Sequence, residues 1–140
     1  MMRDTIRLAN SRDYSKIQIK AWLNADKIKK VKESINNPSK LVFVAIDDDG
    51  ILGIASFNLK DKELGSLYIK YNCHEKGIGT KLLKYVERYA KNIGLKKLKL
   101  GSTITAFEFY KKHGYRTITR KHCVILDGVK IPCILMSKRL

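Results

Sequence analysis

Across residues 63–93 the hydrophobic pattern changes period within a few positions. Glu63 to Tyr71 reads as a strand, and the polar stretch "NCHEKGIG" follows it. From Thr80 to Ile93 the apolar residues Leu82, Leu83, Val86, Ala90 and Ile93 then form one helical stripe. Lys81, Lys84, Glu87, Arg88 and Lys91 lie mainly off that stripe, and Gly94 stops the helix. A strand that turns through two glycines into an amphipathic helix is a unit of a mixed α/β chain.

The flanking segments agree with that class. Leu41 to Ile46 and Ile51 to Leu59 are apolar runs separated by "DDDG", and the Asp49-Gly50 pair predicts a hairpin. Leu95 to Leu100 alternates apolar residues with lysine, as a strand with one wetter face does. Thr105 and Glu108 make a T-x-x-E capping box that opens a helix ending at Gly114. Tyr115 to Leu126 and Val129 to Met136 form a second hairpin about Asp127-Gly128, where Pro132 requires an edge position or a bulge. Before these, Thr5 to Ala9 reads as a first strand, and Ser11 as the cap of a helix marked by Tyr14, Ile17 and Ala21. Asn24 starts a second helix, with Ile28, Val31 and Ile35 as its stripe and Pro38 beyond its end. The order is β-α-α-β-β-β-α-β-α-β-β, a single α/β domain over residues 1–140.

A chain of 140 residues is enough for one such domain and too short for two ordinary ones. No apolar run approaches the length of a bilayer span, and Met1 to Asn10 lacks the core of a signal peptide, so the expected compartment is the cytoplasm, with no membrane partner. Cys73, Cys123 and Cys133 are odd in number and contain no C-x-x-C pair, which reads as free thiols in a reducing compartment. The formal net charge of +16 attracts anions, either nucleic acid or a small polyphosphate. The lysines are dispersed along the chain rather than gathered into one arm or stripe, which argues against nucleic acid.

The glycine turn is the candidate anion site. It is not a Walker loop, because Thr80 precedes Lys81 and the four-residue spacer is absent; nor is it a dinucleotide fingerprint, because Leu82 occupies the third glycine position. Residues 74–80 do lie where the N–H groups of a helix's first turn have no intrahelical partners, at the positive end of the helix dipole. Gly77 and Gly79 remove side chains that would hold a pyrophosphate off the backbone, and Lys76 and Lys81 add positive charge. The same two glycines also serve simply to ease a strand into a helix.

With "HEKGIG" preceded by "ELGSLYIKYN" and followed by "TAFEFYKKHGY", the chain resembles the GCN5-related N-acetyltransferases over nearly its whole length, starting at "IRLANSRDYSKI". His74 departs from the family's Gln or Arg at the first loop position. The resemblance implies the acyl-CoA N-acyltransferase fold, a single mixed, mostly antiparallel sheet flanked by helices. It implies acetyl-CoA as acetyl donor, with its pyrophosphate on the N–H groups of Glu75, Lys76, Gly77, Ile78, Gly79 and Thr80. Its pantetheine would pair with the main chain of Leu67, Tyr68 and Ile69 as an added strand. His74 either faces a phosphate in its protonated form or stands in solvent. Thr103 and Thr105 occupy positions where the family often has an asparagine touching the pantetheine or phosphate arm, although capping already accounts for Thr105.

The resemblance also assigns the chemistry. Amine attack on a thioester needs a neutral amine, a polarised carbonyl and a proton for the leaving thiolate. Glu63, eleven residues before His74, matches the family's strand glutamate base; otherwise it is a surface glutamate at a hairpin end. The N–H of Ile69 matches the donor to the thioester carbonyl. Tyr110 matches the general acid for the coenzyme sulfur, or else packs in the core as Phe107 and Phe109 do. His113 and His122 read as ordinary residues, and the mechanism needs no metal. The acceptor, a small-molecule or protein amine, is left open, as is dimerisation through the C-terminal hairpin. The other functions considered are a basic nucleic-acid-binding domain and an acyl-CoA-binding module without turnover.

Overall fold

The structure is a computed structural model that describes residues 1–25, 32–33 and 35–140. Six strands, β1 (Lys40–Asp47), β2 (Gly50–Asn58), β3 (Glu63–Ile69), β4 (Lys97–Thr103), β5 (Arg116–Leu126) and β6 (Val129–Arg139), form one sheet in the order β1-β2-β3-β4-β6-β5. All neighbours are antiparallel except β3 and β4, which run parallel. Four helices with bounds among the described residues are α1 (Met2–Leu8), α2 (Lys16–Ala25), α3 (Ile78–Asn92) and α4 (Phe107–Lys112). This is the mixed, mostly antiparallel sheet that the resemblance implied.

Both hairpins form where the Asp-Gly pairs stand. Asp127 (φ +50°) and Gly128 (φ +74°) adopt the paired positive φ of a two-residue turn. In the first hairpin Asp48 and Asp49 make the turn and Gly50 follows at φ +119° as the first residue of β2. Pro132 stands at a local edge, as the sequence requires, although β6 is an inner strand. It lies in β6 between β4 and β5, one residue beyond the last β4 partner at Cys133, so its missing N–H breaks no bond to β4.

The amphipathic stripe of α3 is buried at Leu82, Leu83, Val86 and Ala90, whereas Ile93, expected to belong to it, lies one residue past the end of the helix and is 46% exposed. Ile78, Leu82, Leu83, Val86 and Ala90 are buried against Ala55, Phe57, Leu64, Leu98, Leu100 and Met136. Glu87, on the flank of that helix, accepts a hydrogen bond from Tyr115 Oη at 3.1 Å and pairs with Lys138 Nζ at 3.0 Å, which ties α3 to β6.

The N-terminal segment departs from the sequence reading. Residues 5–9 are not a strand: Met2 to Leu8 is helical, and Asn10 to Arg12 is a 3-10 turn. The β-branched Thr5 and Ile6 suggested a strand, yet Met2, Thr5, Ile6 and Ala9 recur at i, i+3, i+4 and i+7, the helical period. Tertiary contacts settle the choice. Ile6 is fully buried with Tyr14, Trp22 and Ile131, and Thr5 Oγ1 donates to Ile69 O at 2.9 Å.

The next helix is capped by Ser15, not Ser11. Gln18 N–H donates to Ser15 Oγ at 3.2 Å while Ser15 N–H donates to Gln18 Oε1 at 2.9 Å, a reciprocal capping box. Ala21 and Trp22 are its buried positions, whereas Ile17 is 71% exposed. Asn24 starts no new helix; it lies in the last turn of α2 and donates to Asp127 Oδ2 at 3.0 Å. Of the stripe expected beyond it, Ile28 and Val31 lie outside the described residues and Ile35 is exposed.

Candidate active site

The site begins with a bulge. In the β2–β3 ladder Ser56 faces Ser66 but Phe57 faces Leu64, so Gly65 is an extra residue on β3. A Cβ at Gly65 would stand 2.7 Å from Ser56 Oγ, which is itself bonded to Ser66 Oγ at 2.7 Å. Glycine is what allows the strand to fold so closely onto its neighbour. We expect Gly65→Ala to displace the Ser56 hydroxyl and cost about 1–2 kcal/mol, lowering the melting temperature by a few degrees. Adding Ser56→Ala should recover most of that loss; a Gly65→Ala chain as stable as wild type in a thermal melt would show that the close approach is not needed.

Beyond the bulge β3 leaves β4. The two strands pair only at Glu63–Lys99 and Leu64–Leu100. Lys70 N–H donates to Leu52 O at 2.8 Å, so strand alternation turns the main chain of Tyr68 and Lys70 toward β2 and that of Leu67 and Ile69 toward the gap. The Ile69 carbonyl is already taken, by Thr5 Oγ1 and by His74 Nε2, each at 2.9 Å. The Ile69 N–H and both main-chain groups of Leu67 face the side where the ladder has ended. Tyr68 is the exception among the three expected strand residues: its main chain serves β2, and its side chain packs with the Tyr14–Trp22 cluster on the other face.

The glycine turn closes the open end of β3. Tyr71 to Lys76 form a 3-10 segment, Gly77 takes φ +73° with open space around it, and α3 starts at Ile78. Lys81 N–H donates to Gly77 O at 3.1 Å, which leaves the N–H groups of Ile78, Gly79 and Thr80 without intrahelical partners. Glu75 and Lys76 are exposed. His74 is exposed, as the second of its expected alternatives has it, and its ring Nε2 also turns back onto β3, 2.9 Å from the Ile69 carbonyl oxygen. A Cβ at Gly79 would sit 3.4 Å from the Phe109 ring and 3.5 Å from Ile69 Cγ1, at ordinary contact distance, so what the glycine supplies is a bare backbone on the open side.

On the far side of the gap Thr103, not Thr105, starts the turn into α4. Its Oγ1 accepts the Ala106 N–H at 3.0 Å, and α4 has no side-chain cap at Ala106. The expected capping box fails because the helix begins at Phe107, two residues after Thr105. Thr105 Oγ1 is buried with no hydrogen-bond partner among the described residues.

Tyr110 is 5% exposed and packs on Phe109 and Tyr115. Burial pushes its phenol far above the usual value, and the nearby Tyr68 phenol pushes the same way. Tyr110 is therefore a protonated donor at every pH below the ordinary tyrosine range. Glu63 lies on the closed side of the bulge beside Lys99, four residues or about 13 Å along the strand from Leu67.

Several contributors carried no local signal. Gly65 reads as a plain strand glycine until its register is known. Tyr14 Oη donates to Pro132 O at 2.7 Å and accepts Ile104 N–H at 2.9 Å, joining β6 to the end of β4 across 118 and 90 positions of sequence. Thr80 Oγ1 and His113 Nε2 lie 3.0 Å apart in a hydrogen bond that links the first turn of α3 to the end of α4.

A parallel strand pair that parts at a bulge, beside the bare N-terminus of a helix, is the acyl-CoA N-acyltransferase fold. The acetyltransferase (GNAT) domain family matches residues 10–137, and the chain belongs to that family. A GCN5-related N-acetyltransferase from Rhodopseudomonas palustris is similar in structure, with a TM-score of 0.89 at 27% identity over 99% of this chain and 84% of its own. PaiA N-acetyltransferase from Thermoplasma acidophilum, in complex with coenzyme A, gives 0.77 at 22% identity over 99% of this chain and 87% of its own, a likeness of fold. The uncharacterized protein YdhI of Bacillus subtilis (strain 168) is 33% identical over 78 residues, which span 53% of this chain and about half, 49%, of that relative. Among the described residues no helix is long and apolar enough to cross a membrane.

Proposed function

We propose that the chain transfers the acetyl group of acetyl-CoA to an amine by direct attack on the thioester, within one catalytic domain. The observation that carries this reading is the opened β3 edge: a donor on Ile69 and a donor and acceptor on Leu67, unpaired beside three free N–H groups at the start of α3. Pantetheine has two amides that such an edge would pair as an added strand, and the diphosphate suits the helix start. Lys76 and Lys81 supply charge nearby. The complex of the Thermoplasma relative with coenzyme A supports the same ligand.

In this reading the amide hydrogens toward the gap polarise the thioester carbonyl and stabilise the charge that develops on it. The neutral amine nitrogen bonds to the acetyl carbon, the carbon–sulfur bond breaks, the Tyr110 hydroxyl gives its proton to the leaving sulfur, and the second proton that the nitrogen sheds as the amide forms returns to Tyr110 through water. The proton lost by the ammonium goes to water or, through water, to Glu63, which lies too far along β3 to take it directly. The +16 charge disfavours strongly cationic acceptors, so neutral or acidic amines are favoured.

The test is calorimetric titration with acetyl-CoA, followed by thiol release over a panel of amines. At a ligand concentration 100 times Kd, binding should raise stability by about 2.7 kcal/mol. A protein that neither binds nor is stabilised by acetyl-CoA would remove the assignment, and binding without thiol release from any amine would leave a silent module.

A further inference from the structure

We propose that His113 is a positioning residue for the diphosphate, acting through Thr80 by a hydrogen bond whose direction the fold sets. The proposal rests on the acetyl-CoA reading above. His113 caps the C-terminus of α4, and its Nδ1 lies 2.7 Å from the Phe109 carbonyl oxygen. A carbonyl oxygen only accepts, so Nδ1 carries the hydrogen. In the neutral ring Nε2 then has a lone pair, and the Thr80 hydroxyl 3.0 Å away donates to it.

Thr80 is thereby held with its hydroxyl hydrogen turned toward α4. Its backbone N–H, unpartnered in the first turn of α3, is left to serve the anion. The imidazole also lies against the Phe109 ring, with centroids 4.5 Å apart, and that ring is the one that a Cβ at Gly79 would meet at 3.4 Å. Two consecutive residues of the anion turn, Gly79 and Thr80, therefore lie beside Phe109 of α4 and its C-cap His113. With only six residues, α4 is too short to hold its place by its own backbone bonds. The contact sets the spacing between the diphosphate and Tyr110, which the same helix carries.

The experiment measures dissociation constants for CoA and for pantetheine, which lacks the diphosphate, by calorimetry and competition. It compares wild type with His113→Ala, Thr80→Val, the double variant and His113→Gln, with a thermal melt of each. His113→Ala and Thr80→Val should each weaken CoA by about fivefold, the effect of one lost hydrogen bond, and leave pantetheine unchanged. The double variant should be no worse than either single one, since both remove the same bond. His113→Gln, whose amide oxygen reaches the Nε2 position, should restore most of the affinity.

Losses that add, a silent Thr80→Val, or CoA and pantetheine weakening together with the melting temperature would overturn the proposal and make His113 a packing residue. Wild type that binds no CoA would defeat the acetyl-CoA reading and this one with it. Wild type that binds CoA while the variants lack the expected pattern would defeat this proposal alone.

Discussion

Gly79→Glu is expected to weaken CoA by about a hundredfold while the fold survives, because opposing a carboxylate to a phosphate costs several kcal/mol in a partly desolvated site. Its Cβ alone would meet Phe109 at 3.4 Å and Ile69 at 3.5 Å, ordinary contact distances, so Gly79→Ala should bind within about threefold of wild type. The longer side chain cannot extend toward those neighbours and has to turn to the open side of the helix start, where the diphosphate is placed. The loss should shrink as salt rises, since exposed charges are screened over about 10 Å at 0.1 M. Isothermal titration of both variants at two salt concentrations checks this. Unchanged affinity in Gly79→Glu would place the diphosphate elsewhere.

Tyr110→Phe should lower kcat by roughly one to two orders of magnitude, the usual size of a lost general acid, with CoA affinity almost unaltered. The phenol is held protonated by burial, far above its ordinary value near 10, so the wild-type rate should show no alkaline fall from Tyr110 between about pH 7 and pH 9. The ring packs with Phe109 and Tyr115 in either variant, so the melting temperature is a control rather than a readout. Steady-state thiol release with whichever amine the panel identifies decides the matter. A Phe variant that turns over at the wild-type rate would leave Tyr110 as core packing.

Much of the fold was legible because its signals are local. The α3 stripe, the two Asp-Gly hairpins and the alternation around β4 each depend on side chains a few residues apart. The misreadings fell where local preferences were close and a distant contact decided. Thr5 and Ile6 suit a strand in isolation, but burial of Ile6 among residues as remote as Ile131 selects the helix. Thr105 and Glu108 have the spacing of a capping box, but Thr103 reaches the Ala106 N–H first. Ser11 and Ser15 are both good caps, and only Ser15 has Gln18 three residues on.

The site divides in the same way. Residue types and spacing along the chain placed a glycine turn before a helix and an aromatic pair on a later one, because motifs of that kind lie within a dozen residues. The amino-acid order alone could not say that Gly65 is the bulge, that Tyr68 turns its main chain away from the gap, or that His74 braces Ile69. Those facts depend on strand register, and a one-residue shift in register reverses which groups face a neighbour. The bond between Thr80 and His113 likewise exists only after α3 and α4 have packed, across 33 positions of sequence that carry no trace of it.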